Sequence, residues 1–335
     1  ALRVRDQEIT FTSGGTESNN LAIFGVVESL ISQGYAYHDM HIITSTVEHV
    51  SVLKPCAHFA NKGVSVTYIP VDDQGRISPE SVIKALRPST ILVSLMYVNN
   101  EIGTLTSLRK ISIAIHTHYN KARKKPRAGY PLVHTDASQA PLFLDCSPER
   151  LGVDLLTLDA QKVYGPKGVG LLYRKHSVAL APLLLGGGQE GGLRAGTEAL
   201  PLIVGCAEAL TIAVREREST HKNVLVLRDL LIRGIEKSIP HVILNGSREE
   251  RIANNVNITI PDCDMEFLVI KMDHAGVSVS SASACLSEGS GSHVVRALRD
   301  GATRNVEALR FTLGKETTRH DIERTINILE HCLKV

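Results

Sequence analysis

The chain has 335 residues, enough for one large domain or two unequal ones and too many for a single small module. Its 37 basic and 35 acidic residues nearly cancel and form no basic stripe interleaved with aromatics, which argues against direct nucleic-acid binding. Six cysteines without CxxC spacing (Cys56, Cys146, Cys206, Cys263, Cys285, Cys332) argue against a metal site or a disulfide framework and suit a reducing, cytoplasmic setting; no run is apolar enough to span a bilayer, and the first residues read as neither signal peptide nor presequence.

From Glu8 to about Tyr173, short β-rich runs alternate with helical patterns. The runs Glu8–Thr12, His41–Thr44, Ser65–Ile69, Ile91–Tyr97, Leu132–His134, Asp154–Thr157 and Val169–Tyr173 predict seven strands. Helical spacing predicts Glu17–Gln33, Val50–Asn61, Pro79–Leu86 and Leu108–Tyr119 between them, so the fold class is α/β with a mainly parallel, covered sheet.

Between the first strand and helix, TSGGTESNN offers the amides of Gly15 and Thr16 and the Thr16 hydroxyl to a dianion at a helix N-terminus; an ordinary helix start capped by Thr16 or Ser13 is the competing reading. His49, in TSTVEHVSVL, lies between a strand and a helix, where an imidazole can lie over a flat ring or serve structure alone. The stretch Lys121–Arg127 (KARKKPR) reads as a solvated loop. In HTDASQA, Asp136 follows an apolar strand and can stand at the carboxyl end of the sheet, where α/β folds bind ligands; it could pair with a pyridinium nitrogen or cap a turn. In LDAQKVYGPKGVG, Lys162 follows a strand and precedes a glycine turn, a place for an imine-forming lysine or for a surface one.

The glycine-rich loop Gly186–Gly196 precedes two helical patterns, Leu200–Glu218 and Asn223–Ser238. Thr197 could reach a phosphate from this loop, which could equally be a plain connector. The order of elements then changes: strands at Val242–Leu244, Val256–Ile260, Val277–Ser280 and Leu309–Leu313 mix with helices ending at Leu333, giving a smaller α+β domain. The boundary is expected near Ser219–Val224, dividing residues 1–220 from residues 221–335. In that second part Cys285 follows an apolar strand within VSVSSASACLSEGSGS, as a thiol on an arm of small residues or as an inert buried cysteine.

Together these segments resemble the class V aminotransferases, and among them the cysteine desulfurases of the NifS and IscS type. TSGGTESNNLAI, VEHVSVL, VNNEIGTL, HTDASQA, KVYGPKGVGLLY, GGGQEGGLRAGT, SSASAC and LRFTLGKETT occur in the family's order from Glu8 nearly to the end. The resemblance implies the type I fold of pyridoxal 5'-phosphate (PLP) enzymes. It makes Lys162 the residue that holds PLP and later moves the substrate's α proton, Asp136 the partner of the pyridine nitrogen, Gln139 a contact of the ring hydroxyl and His49 a ring-stacking group. Gly15, Thr16 and Gln161 would hold the phosphate with Thr197 of a neighbouring subunit, implying a homodimer with shared sites. Asn100 and Arg310 would clamp the carboxylate of L-cysteine, and Cys285 would take its sulfur for an acceptor protein, an iron–sulfur scaffold or a tRNA-thiolation carrier. A selenocysteine lyase, or a non-catalytic homologue that binds PLP weakly and acts as a docking partner, are the alternatives.

Three departures accompany the resemblance. Asp159 and Gln161 stand where the family usually has Ser and His, so a carboxylate is expected to repel the phosphate unless it turns away. Gly191 stands where Arg is usual. The sequence opens a few residues before its first strand, whereas relatives carry several dozen residues there, including an Ala-Thr-Thr segment beside the active site; reduced activity or a missing natural beginning is expected.

Overall fold

The computed structural model describes residues 1–121, 131–281, 291–299 and 307–334, so most of the basic KARKKPR stretch and Cys285 lie outside the described residues. The chain divides into two compact units. The first comprises Ala1–Pro70, Ile77–Val98 and Thr106–Glu216; the second comprises Val71–Arg76, Asn99–Leu105 and Arg217–Val335.

In the first unit the elements run β1 (Ile9–Thr12), α1 (Gly15–Ser32), β2 (His41–Ser45), α2 (Val50–Asn61), β3 (Ser65–Ile69), α3 (Pro79–Ala85), β4 (Thr90–Ser94), α4 (Leu108–Lys121), β5 (Leu132–Asp136), α5 (Pro148–Leu151), β6 (Leu155–Asp159) and β7 (Gly170–Arg174). The seven strands form one sheet in the order β1-β7-β6-β5-β4-β2-β3, parallel except for β7, which is antiparallel to both β1 and β6. An antiparallel neighbour needs only a short return, so the β6–β7 link carries no crossover helix and places Lys162 directly beyond β6. The six parallel strands all end on one edge of the sheet, and the segments after β1, β2, β5 and β6 leave it there.

The central strands β2 and β4 are buried along their whole length, the mark of a sheet covered on both faces. Buried His41 in β2 is paired at both ring nitrogens, with Thr90 Oγ1 at 2.9 Å and Thr67 Oγ1 at 2.8 Å. Helix α1 buries Leu21, Ile23, Val26, Val27 and Leu30 against the sheet, and α2 adds Val52, Cys56 and Phe59, with the Phe24 and Phe59 rings 4.6 Å apart. Gly170 marks a close approach, because a Cβ there would lie 2.6 Å from the Gly14 carbonyl carbon.

Some expectations need correction, among them the strand expected over Val277–Ser280, which is confined to Ser280–Ser281. The strand predicted to Tyr97 stops at Ser94, because the Met96 amide turns to the Glu48 carboxyl group instead of a neighbouring strand. The two helical patterns after the glycine loop are one helix, α6 (Leu200–Ser238), so the boundary expected near Ser219–Val224 lies within a helix; the units divide between Glu216 and Arg217, also inside α6. Ser219, Thr220 and His221 cost a helix only tenths of a kcal/mol each, roughly, and the Glu218–Lys222 pair one turn apart, at 2.8 Å, favours it.

The second unit continues with β8 (Ile243–Leu244), β9 (Asn255–Thr259), α7 (Met265–His274), β10 (Ser280–Ser281), α8 (His293–Ala297), β11 (Leu309–Thr312) and α9 (Arg319–Lys334). Its antiparallel sheet has the order β10-β11-β9-β8, with a core that includes Val256, Ile258, Leu268, Leu309, Phe311 and Leu329. Buried Arg251 donates to Ser247 O at 2.8 Å, to Asn255 Oδ1 at 3.1 Å and to Asn245 O, which ties the β8–β9 connection together.

Candidate functional site

The carboxyl edge of the seven-stranded sheet gathers two polar clusters. The first surrounds the start of α1. This helix begins at Gly15 behind Gly14, whose φ of 152° suits glycine and whose position carries no side-chain cap, so neither Ser13 nor Thr16 caps the helix. The Gly15 amide donates to Asp159 Oδ2 at 3.1 Å. Gln161 closes on the same carboxylate, its backbone N–H donating to Oδ1 at 3.2 Å and its side-chain amide to Oδ2 at 3.1 Å. Asp159 therefore turns toward the helix terminus instead of away from it. A Cβ on Gly15 would come within 3.3 Å of both Asp159 Oδ2 and Ser138 Oγ; the Ser138 hydroxyl is buried and has no hydrogen-bond partner among the described residues.

The second cluster is a relay of buried and part-buried hydrogen bonds. Asp136, the last residue of β5, accepts from the Ser138 amide at 2.9 Å and from Asn19 Nδ2 at 2.8 Å. Asn19 Nδ2 also donates to Ser51 Oγ at 2.8 Å, and Ser51 Oγ lies 2.7 Å from His49 Nδ1. His49 is the N-cap of α2 and accepts from the Ser51 amide through that same Nδ1, at 3.2 Å. A nitrogen that accepts an amide hydrogen carries no proton of its own, so in neutral His49 the hydrogen sits on Nε2. The Ser51 hydroxyl then donates to His49 and accepts from Asn19, and one unbroken chain links the imidazole to the Asp136 carboxylate.

Glu48, within electrostatic reach of Asp136, is fully buried. It accepts from Ser45 Oγ at 2.6 Å and from the Met96 amide at 3.1 and 3.0 Å. Burial pushes its carboxyl group up to about 8; the bonds from Ser45 and Met96 oppose this, and nearby Asp136 adds to it. Burial also holds His134, two residues before Asp136, well below its usual range.

Lys162 sits on a 3-10 turn, Ala160–Val163, and is exposed; the turn closes at Tyr164, which takes a left-handed φ of 62°. Gln139 is half-buried just after Ser138, whereas Thr16 and Thr197 are exposed. The glycine-rich loop is pinned near Thr197 by the Arg194–Glu17 pair at 3.0 Å, and Glu190 Oε2 accepts from the Phe11 amide of β1 at 2.9 Å. Gly191 has a φ of 64° with open space around it, a conformation that a residue with a Cβ would strain. Asn100 and Arg310 belong to the second unit, where Arg310 donates to the Asn100 carbonyl at 2.8 Å. Arg310 Nε is buried without a hydrogen-bond partner among the described residues. No group of three or more His, Cys, Asp or Glu among the described residues could hold a metal ion, and no helix there is long and apolar enough to cross a membrane.

The sequence reading did not single out Asn19, Ser51, Glu48 or Ser138. Asn19 carried a legible signal: it lies on the stripe of α1 that continues through Ala22, Ile23 and Val26 into the core, and a polar residue on such a stripe must find a buried partner. Glu48 gave none, since a Glu at a strand–helix junction is ordinarily solvated.

The description "Aminotransferase class-V" matches residues 2–325. The cysteine desulfurase IscS of Dictyoglomus turgidum is 42% identical over 336 residues, covering 100% of this chain and 81% of that protein. A solved NifS-like protein superposes with a TM-score of 0.87 at 32% identity, over 99% of this chain and 84% of the other. The structure of SspA in complex with cysteine gives a TM-score of 0.73 at 30% identity, over 95% of this chain and 84% of the other.

Proposed function

The chain belongs to the class-V aminotransferase family, and from that premise we propose that it is a PLP-dependent cysteine desulfurase, converting L-cysteine and an enzyme thiol to L-alanine and an enzyme persulfide. The observation that carries this reading is one of placement: Asp136, held by two donors, ends β5, and Lys162 stands just beyond β6, the neighbouring parallel strand. A carboxylate so braced is held in one direction, as a partner for a pyridinium nitrogen must be. The ring end of the site therefore fits the cofactor. The helix terminus with Gly15 and the unserved Ser138 hydroxyl fits a phosphate, although Asp159 now lies on it.

Bound PLP supplies an electron sink for bond breaking at the substrate's α and β carbons. The chain supplies the rest. Lys162 holds the cofactor and exchanges the substrate's α proton, Asp136 keeps the ring nitrogen protonated, Gln139 meets the ring hydroxyl, and His49, with its hydrogen on Nε2, covers the ring. Gly15, Thr16 and Gln161 are the groups that would hold the phosphate once Asp159 gives way. Asn100 and Arg310 bind the substrate carboxylate, to which the Arg310 Nε brings an unspent donor. Cys285 takes the sulfur. Burial pushes the Cys56 and Cys206 thiols up to about 12 and about 11, which makes them poor nucleophiles. Residues 1–220 form the cofactor-binding part and residues 221–335 the part with the sulfur-accepting cysteine, in a homodimer with shared sites. Exposed Leu184, Leu185, Leu200 and Val204, on either side of Thr197 in sequence, support a covered face there. A cytoplasmic setting keeps the thiol reduced, and an acceptor protein carries the sulfur onward.

Asp159 on the Gly15 amide favours a second reading, a weakly PLP-binding homologue that docks a partner without catalysis. Absorbance of the purified protein separates the two. The cysteine desulfurase is yellow, is bleached by borohydride and loses the colour in Lys162→Ala; Cys285→Ala keeps the colour and loses persulfide transfer, seen as the absence of a sulfur adduct in mass spectra after incubation with cysteine. A colourless protein that added PLP does not restore refutes the desulfurase reading.

A further inference from the structure

The seat at the start of α1 holds an anion, and that anion belongs to the chain itself. Asp159 Oδ2 receives the Gly15 amide at 3.1 Å, the contact that a helix N-terminus offers a bound phosphate oxygen. The match is incomplete in one respect. A carboxylate has two oxygens in a plane, and the two of Asp159 are taken by Gly15 and by the backbone and side-chain amides of Gln161. The Ser138 hydroxyl, 8% exposed and without a partner among the described residues, is left facing the Gly15 backbone, where it comes within 3.3 Å of the position a Cβ would take. An orphaned buried hydroxyl beside an amide-lined helix end is accounted for by a tetrahedral anion, whose additional oxygens reach what a carboxylate leaves unserved.

We propose that Asp159 is a tethered stand-in for the phosphate of the cofactor, and that it sets how strongly the chain distinguishes a phosphorylated pyridoxal from an unphosphorylated one. Anchored at the end of β6, Asp159 competes as an intramolecular ligand with no association cost. A dianion entering the seat must first displace it and then lie beside its negative charge. Gln161 is engaged in the same way, since its backbone N–H and one of its two side-chain amide hydrogens go to Asp159 instead of to an incoming oxygen. The chain therefore gains little from the phosphate group of its ligand, and what affinity it has comes from the ring and from Lys162. This rests on the PLP reading of the site, and its test is arranged to fail separately.

Wild type, Asp159→Ser and Asp159→Asn are titrated with PLP and with pyridoxal, following the visible band for affinity. Inorganic phosphate is titrated in parallel by thermal shift. In wild type the two pyridoxals differ little. In Asp159→Ser the preference for the phosphorylated form rises by about tenfold or more, the worth of a recovered charge-assisted hydrogen bond, while the affinity for pyridoxal is unchanged. Inorganic phosphate raises the melting temperature of the variant and not of wild type. Asp159→Asn, which keeps the shape and removes the charge, moves in the same direction and serves if the serine variant folds poorly. An unchanged preference in both variants, or equal stabilisation of wild type by inorganic phosphate, overturns the proposal. If neither pyridoxal colours any of the three proteins, the cofactor reading falls, and the inorganic-phosphate titration alone decides the role of Asp159.

Discussion

Replacing Glu48 by Gln keeps the shape of the side chain and an oxygen for Ser45 and Met96 while removing the ionisable group. In the folded chain burial raises this carboxyl from 4.5 to about 8, so the native state holds a proton that the unfolded chain releases. Stability from this group is therefore complete below pH 4.5 and declines until the pH passes about 8. At 1.36 kcal/mol per unit the whole decline is roughly 5 kcal/mol, of which about 2 kcal/mol falls between pH 6.5 and 8. That upper window is the informative one, because the buried histidines His41 and His134 change stability only below their ordinary value of 6.5. Urea unfolding followed by circular dichroism at half-unit steps from pH 6.5 to 8.5 measures it. Wild type should lose about 2 kcal/mol across the window and Glu48→Gln close to none. Parallel curves for the two proteins would refute the claim that Glu48 is protonated and buried in the native state.

Two further outcomes follow from the same geometry. His41 is held down to about 4, first by burial and then by Arg87, so its contribution is present above pH 6.5 and is lost as the pH falls toward 4; His41→Gln should shift the acid-unfolding midpoint, read by near-ultraviolet circular dichroism, to lower pH. Asn19→Ala removes the donor shared by Asp136 and Ser51 and should cost about 2 kcal/mol in urea unfolding as buried acceptors lose their partner; a cost below about 0.5 kcal/mol would mean that the relay is not formed.

The sheet was legible in the sequence because its strands are short apolar runs between punctuated turns. Ser65–Ile69 and Val50–Asn61 have the bounds their patterns predict. Strand ends were less legible, since Asp136 and Asp159 close β5 and β6 although a carboxylate ordinarily reads as the turn that follows. The continuity of α6 was hidden for a related reason: Ser-Thr-His is a weak local signal against helix, which the surrounding helix overrides. At the site, residue types and order pointed to Lys162, Asp136 and Gly15, while their supports did not show. Asn19, Ser51 and Ser138 act through contacts between segments far apart in the chain, and only the folded sheet brings those segments to one edge.

Among the described residues strand β1 has a neighbour on one side only, and the Phe11 amide on its outer side is taken by a side chain from the glycine-rich loop, Glu190. A border strand with unused amides invites pairing with another molecule, and a carboxylate laid across it discourages that. The loop that reaches toward Thr197 thus also occupies part of the open border of β1. Natural or engineered variation in that loop is constrained by solubility as well as by chemistry, and variants that lose Glu190 are the ones to watch for clumping even when every group at the lysine is intact.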